Sequence, residues 1–239
     1  MKKLKLKMIE NLKINNINIK ICNSTVKLIE LTSNIITEEL NKGLCIIPGG
    51  RTPVKIFNYL SKFKQINSKS KLLLSDDRLV SIMSNNSNYK MLFDNLKITF
   101  DDFSPLSYNQ EINEIGELKL EQKITRILEN NILSCAFLGV GSDGHTASLF
   151  PNKSQFESTQ SGFKIKNKED DFFRYTLSYK SLMKFKKIVF IISGNEKNEA
   201  LKQLFFKESN FNKYPFHKLA IEHPNVLIIC DNKAAKNIG

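Results

Sequence analysis

Short runs of consecutive apolar residues, separated by longer stretches with helical spacing, constrain the fold of this chain more than any other feature. Leu44–Ile47, Lys71–Leu74, Cys135–Val140, Ile188–Ser193 and Val226–Cys230 are each bounded by Gly, Pro, Asp or other turn residues. Such runs are too short for helices and lack the alternation of a half-exposed strand, so they read as strands buried on both faces of a parallel sheet. Ile17–Cys22 reads as a sixth strand and Arg174–Leu177 as an edge strand. Between them, Val26–Leu40 carries apolar residues at 28, 29, 31, 35, 36 and 40, and Thr52–Leu60 and Glu196–Phe206 repeat the same kind of spacing. Each fits a crossover helix. The pattern predicts a three-layer α/β/α fold, a mostly parallel Rossmann-like sheet of about six strands, formed by residues 1–239 as a single domain. Asp101–Glu114 and Asn152–Asp171 lack periodicity and read as surface loops over a site.

Composition narrows the partners. The net charge of +12 invites a nucleic-acid reading, but only four of the 36 Lys and Arg residues are Arg, at 51, 78, 126 and 174, and the lysines are scattered along the chain. No basic helix or aromatic stacking motif accompanies them, so no nucleic-acid partner is expected and each scarce Arg merits inspection. No apolar run reaches the roughly 18 residues of a membrane-spanning helix. The first twenty residues interleave Lys and Asn with apolar residues instead of building a signal-peptide core, so the expectation is a cytoplasmic protein without a membrane partner. Cys22, Cys45, Cys135 and Cys230 lie singly in apolar segments, without C-x-x-C or Cys/His spacing, and read as reduced core residues with no metal site.

In an open α/β sheet ligands bind outside the carboxyl ends of the strands, and four turns there are unusual. Pro48-Gly49-Gly50-Arg51-Thr52-Pro53 opens a helix, with Thr52 as N-cap and Pro53 at the first helical position. It is either a tight turn or an anion cradle, in which helix N-terminal N–H groups and the Arg51 fork meet a phosphate. Ser75-Asp76-Asp77-Arg78 is either a capped turn with a local ion pair or part of a site, and Ser87-Asn88 starts a helix from which Asn88 can face the cleft.

The richest turn is Gly139-Val140-Gly141-Ser142-Asp143-Gly144-His145, followed by Thr146–Phe150 as a short helix. A histidine at a helix N-terminus is disfavoured as imidazolium, and a neutral ring is what a general base needs. Asp143 stands where it can orient that ring or hold a ligand; the alternative is a histidine hydrogen-bonded within a turn. The fourth turn, Ser193-Gly194-Asn195-Glu196-Lys197, places Lys197 in a first helical turn, against the helix dipole, where it is either a solvated lysine or an anion contact. Lys218, before the last strand, brings another cation to the same edge.

These turns, in this order, resemble the 6-phosphogluconolactonase family, related to the glucosamine-6-phosphate deaminase/isomerase superfamily. Gly49-Gly50-Arg51-Thr52-Pro53 stands where the family has Gly-Gly-Ser-Thr-Pro, Asp76-Asp77-Arg78 with Ser87-Asn88 where it has Asp-Glu-Arg and Ser-Asn, and Ser193 to Lys197 where it has Ser-Gly-x-Glu-Lys. Gly-x-Gly-x-Asp-Gly-His-Thr-Ala-Ser-Leu-Phe-Pro is matched throughout from Gly139 to Pro151. The resemblance implies hydrolysis of 6-phospho-D-glucono-1,5-lactone to 6-phospho-D-gluconate in the oxidative pentose phosphate pathway, without cofactor or metal. It implies His145 as the general base with Asp143 beside it, and Gly49, Gly50, Arg51, Thr52, Asp77, Arg78, Lys197 and Lys218 as substrate-binding residues. The implied partner is a small-molecule sugar phosphate, acted on by a monomer or weak homo-oligomer. Alternatives are an amino-sugar-phosphate deaminase/isomerase and a non-catalytic sugar-phosphate-binding protein. The chain departs from the family pattern at Pro48, Arg51, Asp77, Lys218 and Arg174–Leu182, which bears on phosphate recognition and leaves Asp143 and His145 untouched.

Overall fold

A computed structural model describes residues 9–14, 17–64, 66, 70–96, 114–152, 155–206, 211–236 and 238. Its central sheet has seven strands in the order β1-β2-β10-β9-β6-β3-β4. These are β1 (Ile9–Ile14), β2 (Ile17–Cys22), β3 (Leu44–Ile47), β4 (Leu72–Leu74), β6 (Leu133–Gly139), β9 (Lys187–Ile192) and β10 (Val226–Asp231). All neighbours pair in parallel except β1 and β2, which form an antiparallel edge. The expected strands are present because their runs are buried on both faces: β3, β4 and β10 expose no residue. The sheet gains β1, which lay outside the expectation. Its Ile9, Leu12 and Ile14 are only partly buried, so it is a polar edge strand rather than a core run.

Arg174–Leu177 is not an edge of that sheet. As β8 it is the middle strand of a second, antiparallel sheet, between β5 (Asp76–Arg78) and β7 (Gly162–Ile165). Ser75 joins the two sheets: its N–H donates to Ile47 O at 2.9 Å, and its carbonyl accepts from Leu177 N–H at 2.9 Å. Asn152–Asp171 is therefore not wholly loop, because β7 lies within it; of the other expected loop, 101–113 lies outside the described residues.

The helices are α1 (Thr25–Leu40), α2 (Arg51–Phe63), α3 (Asn88–Leu96), α4 (Glu114–Glu129), α5 (Tyr179–Leu182), α6 (Asn198–Phe206) and α7 (Pro215–Glu222). Ser24 caps α1 through a bond from Lys27 N–H, and Leu28, Ile35, Ile36 and Leu40 point its apolar stripe inwards. Buried apolar side chains of the sheet and the helices form a connected core in which Tyr175, Phe57, Phe137, Phe190 and Phe216 are the largest fully buried side chains among the described residues. Among the described residues no helix is long and apolar enough to cross a membrane.

Strand order fixes where a ligand can enter. From β3 the chain crosses outwards to β4, whereas from β6 it crosses the other way to β9. The carboxyl ends of β3 and β6 therefore flank a topological switch point, where diverging crossovers leave a crevice.

Candidate active site

A cleft of about 470 Å³ opens there. Its walls come from the turn after β3 (Pro48–Pro53), the turn after β6 (Gly139–Gly141, His145, Ala147), the turn after β9 (Ser193, Gly194, Glu196, Lys197), and Asp76, Arg78, Asn88 and Arg174.

The first turn differs from expectation by two residues. Gly50 is the N-cap of α2, at φ +110°, and Pro53 lies in the first turn, with Val54 N–H making the first helical bond to Gly50 O at 3.2 Å. Among the described residues no side chain caps the helix, so the N–H groups of Arg51 and Thr52 stay available to an anion, Pro53 having none. Gly49 is needed for closeness: a Cβ there would lie 2.2 Å from Asn88 Oδ1.

The turn after β6 carries a His–Asp pair. His145 Nδ1 lies 2.6 Å from Asp143 Oδ1, which also accepts the His145 backbone N–H at 3.1 Å. An ionised carboxylate only accepts, so the ring is assigned the tautomer with Nδ1–H, leaving Nε2 with its lone pair. Burial pushes the Asp143 carboxyl upwards, but the hydrogen bond and charge of His145 outweigh it and hold the pKa below the usual carboxylate value. Gly141 is again a contact requirement, since a Cβ would lie 2.2 Å from His145 Nδ1.

Thr146–Phe150 is not the expected helix. Thr146 and Leu149 close a tight turn with Ala147 at φ +50°. Side-chain anchors override helical propensity here: Thr146 Oγ1 donates to Gly139 O at 2.9 Å, Ser148 N–H to Thr176 Oγ1 at 3.1 Å, and Ser148 Oγ to Asp76 Oδ2 at 2.5 Å. His145 thus owes its orientation to Asp143 and not to a helix dipole.

Of the expected binding residues, Gly49, Gly50, Arg51, Thr52, Arg78 and Lys197 line the cleft. Lys197 sits in a 3₁₀ turn (Asn195–Lys197) ahead of α6. Burial lowers its pKa from the usual lysine value, with Glu196 and Asp143 opposing and Arg51 assisting. Arg78 donates from Nη1 to Asn86 O and Asn88 Oδ1, both at 2.9 Å.

Two expected residues do not line the cleft. Asp77 is fully buried, and its carboxylate accepts from the N–H groups of Arg78, Asn88 and Tyr89 at 2.7, 2.6 and 3.1 Å, which makes it the cap of α3. Lys218 pairs with Glu222 at 2.6 Å, and its ammonium lies 5.1–5.8 Å from the ring centroids of Phe156, Tyr179 and Phe211.

Conversely, Lys55, Asp76 and Arg174, to which the sequence motifs assign no substrate-binding role, also line the cleft. Arg174 bonds Asp170 through Nε and Nη2 at 2.6 and 3.2 Å, and lies 3.7 Å from Asp76. Its signal in the sequence is rarity, since three of the four arginines line this cleft. Among the described residues no group of three or more His, Cys, Asp or Glu side chains is arranged to hold a metal ion.

A doubly wound α/β sheet whose switch-point cleft combines an uncapped helix N-terminus, clustered cations and a His–Asp pair defines the class of α/β proteins with a polar, cationic cleft at the carboxyl ends of their strands. The chain belongs to the family described as glucosamine-6-phosphate isomerases/6-phosphogluconolactonase, whose model matches residues 20–228. It is 30% identical to a 6-phosphogluconolactonase of Haemophilus influenzae over 77% of this chain and 83% of that one. It is 32% identical to that of Borreliella burgdorferi over 80% and 83%. The crystal structure of a 6-phosphogluconolactonase from Shewanella baltica superposes with a TM-score of 0.80, covering 94% of this chain and 100% of that one at 19% identity, a likeness of fold.

Proposed function

We propose that this protein hydrolyses 6-phospho-D-glucono-1,5-lactone to 6-phospho-D-gluconate. The observation that carries the reading is the His145 ring, fixed through Nδ1 by Asp143 at 2.6 Å, in the same cleft as the uncapped α2 N-terminus, Arg51 and Lys197. His145 Nε2 takes a proton from water as its oxygen attacks the lactone carbonyl, and Asp143 stabilises the imidazolium that forms. The tetrahedral intermediate collapses by breaking the bond from C1 to the ring oxygen, which takes the proton back from His145; the new carboxylic acid then ionises. The first-turn N–H groups of α2, with Arg51, Thr52 and Lys197, hold the 6-phosphate, each charge-assisted bond contributing about 1.5–3 kcal/mol. Arg78 adds positive charge to the wall that faces the sugar. In this reading the chain is a cytoplasmic, single-domain enzyme whose partner is a small sugar phosphate.

The test generates the lactone with glucose-6-phosphate dehydrogenase in light buffer and follows acid release. The parent protein accelerates release over the spontaneous rate, and His145→Ala loses about 10² to 10⁴ of that acceleration. Equal rates for the two, or no acceleration by folded parent, overturn the assignment. Ammonia released from glucosamine 6-phosphate would place the chain with the isomerases instead.

A further inference from the structure

Asp231 ends β10 at 3% exposure and lies outside the cleft lining. Its carboxylate accepts three hydrogen bonds, from Ser193 Oγ at 2.6 Å, Gly194 N–H at 3.2 Å and Ala234 N–H at 2.9 Å. Two of these come from the turn after β9, whose Ser193, Gly194, Glu196 and Lys197 line the cleft. Gly194 adopts φ +105° there, a left-handed conformation that the surroundings must specify. At the far end of the turn the Asn198 amide donates to Ala234 O at 2.9 Å and to Lys236 O. The turn is thus pinned at both ends to residues 231–236. The Lys197 backbone N–H donates to Gly194 O at 3.2 Å, inside the same turn, whereas its ammonium makes no hydrogen bond or ion pair among the described residues, so the backbone of the turn sets where that ammonium lies.

We propose that Asp231 is a positioning residue for anion binding: by holding Ser193 and Gly194 it sets the Ser193–Lys197 turn and, through it, the place of Lys197 in the cleft. A buried carboxylate gripping O–H and N–H donors is well suited to this, since charge-assisted bonds away from water are shorter and stiffer than neutral ones. The role rests on the reading of Lys197 as a phosphate contact, and the test keeps the two separable.

Asp231→Asn preserves size, but one amide oxygen cannot serve both the serine hydroxyl and the backbone donors. It raises KM for the phosphorylated lactone about tenfold with kcat within about twofold, and weakens inorganic phosphate binding, measured by calorimetry, by a similar factor. The KM for unphosphorylated glucono-1,5-lactone stays put. Ser193→Ala shifts KM in the same direction, and adding it to Asp231→Asn costs less than the sum of the two effects, because both remove one contact. KM and phosphate affinity within about twofold of the parent overturn the proposal. So does a parallel loss of kcat with folded fraction, which would make Asp231 structural only. If Asp231→Asn does not fold, Ser193→Ala decides alone: unchanged KM and phosphate affinity overturn the proposal. Should the parent hydrolyse no lactone, the phosphate titration still reads the turn: tight binding by the parent and weak binding by the variant sustain the role of Asp231, and equal binding removes it.

Discussion

His217 is buried completely, with Nε2 bonded to Ala200 O at 2.9 Å and Nδ1 without a partner among the described residues. Burial lowers its pKa from 6.5 to about 4, and the Ala200 bond opposes only part of that shift. Above pH 6.5 the ring is neutral in both folded and unfolded chains; between about 6.5 and about 4 only the unfolded chain takes up the proton, so stability falls as pH falls through that window. The shift corresponds to roughly 3 kcal/mol. Urea unfolding followed from pH 7 to pH 4.5 shows the loss, and His217→Gln, which keeps a donor for Ala200 and cannot charge, flattens it. An equally steep profile in the variant removes His217 as the source. Carboxylates held low contribute a loss of the same sign, which sets in as pH falls through the ordinary values of 4.5 for Glu39 and Glu222 and 3.8 for Asp143 and so overlaps only the acid end of this window; the difference between the parent and His217→Gln isolates the histidine. The four thiols follow the same physics with the opposite sign. Burial raises Cys22 to about 11 and Cys45 and Cys230 to about 12, and Cys135 rises too. Native protein at pH 8 therefore reacts negligibly with a disulfide reagent within minutes, whereas denatured protein releases four equivalents. Fast labelling of the native state would show that these strands open.

Among the elements, the turn from Gly141 to Pro151 concentrates the chemistry, and its geometry comes from contacts more than from propensity. Gly141 lies outside the left-handed region, so Gly141→Ala strains no backbone; its new methyl would meet His145 Nδ1 and Asp143 Oδ1 at 2.2 and 2.4 Å. Displacing that pair by about 1 Å costs about 10² in kcat, and the melting temperature of the variant should move little in comparison. A normal kcat would show that the pair tolerates displacement. The same turn explains what the sequence could and could not disclose. Glycine spacing and the Asp143–His145 pair were legible because they are local. The missing helix after His145 was not, because Thr176 and Asp76, which anchor Ser148, are distant in the chain. Likewise β3, β6, β9 and β10 announce themselves by continuous apolar runs. β5 is three polar residues, Asp-Asp-Arg, and β7 is Gly-Phe-Lys-Ile amid polar sequence; only pairing with β8 makes them strands. Asp77 and Lys218 carry suitable charges, and only the tertiary structure shows that α3 and Glu222 consume them.

Across the whole molecule the charge is less diffuse than composition suggests. The net charge is +12, and Arg51, Arg78 and Arg174 converge on one cleft with Lys55 and Lys197, facing Asp76 and Glu196. Arg174 is committed to Asp170 and Asp76, whereas Arg51, Lys55 and Lys197 make no ion pair among the described residues. Cations that outnumber the carboxylates of a concave site focus the field outwards, raising the encounter rate with a dianionic substrate and its affinity once bound. Both effects act over a Debye length, which shrinks from about 30 Å at 0.01 M salt to about 8 Å at 0.15 M. The kcat/KM for the 6-phosphorylated lactone is therefore expected to fall several-fold between about 20 mM and about 0.5 M salt, while that for glucono-1,5-lactone, which has no phosphate, changes little. Because the His145–Asp143 bond is direct and 2.6 Å long, screening by bulk ions should leave kcat near its low-salt value for both substrates. A parallel decline for the two lactones would locate the salt effect in the acid–base pair or the fold, and would remove the cation cluster as a means of recognising a phosphate.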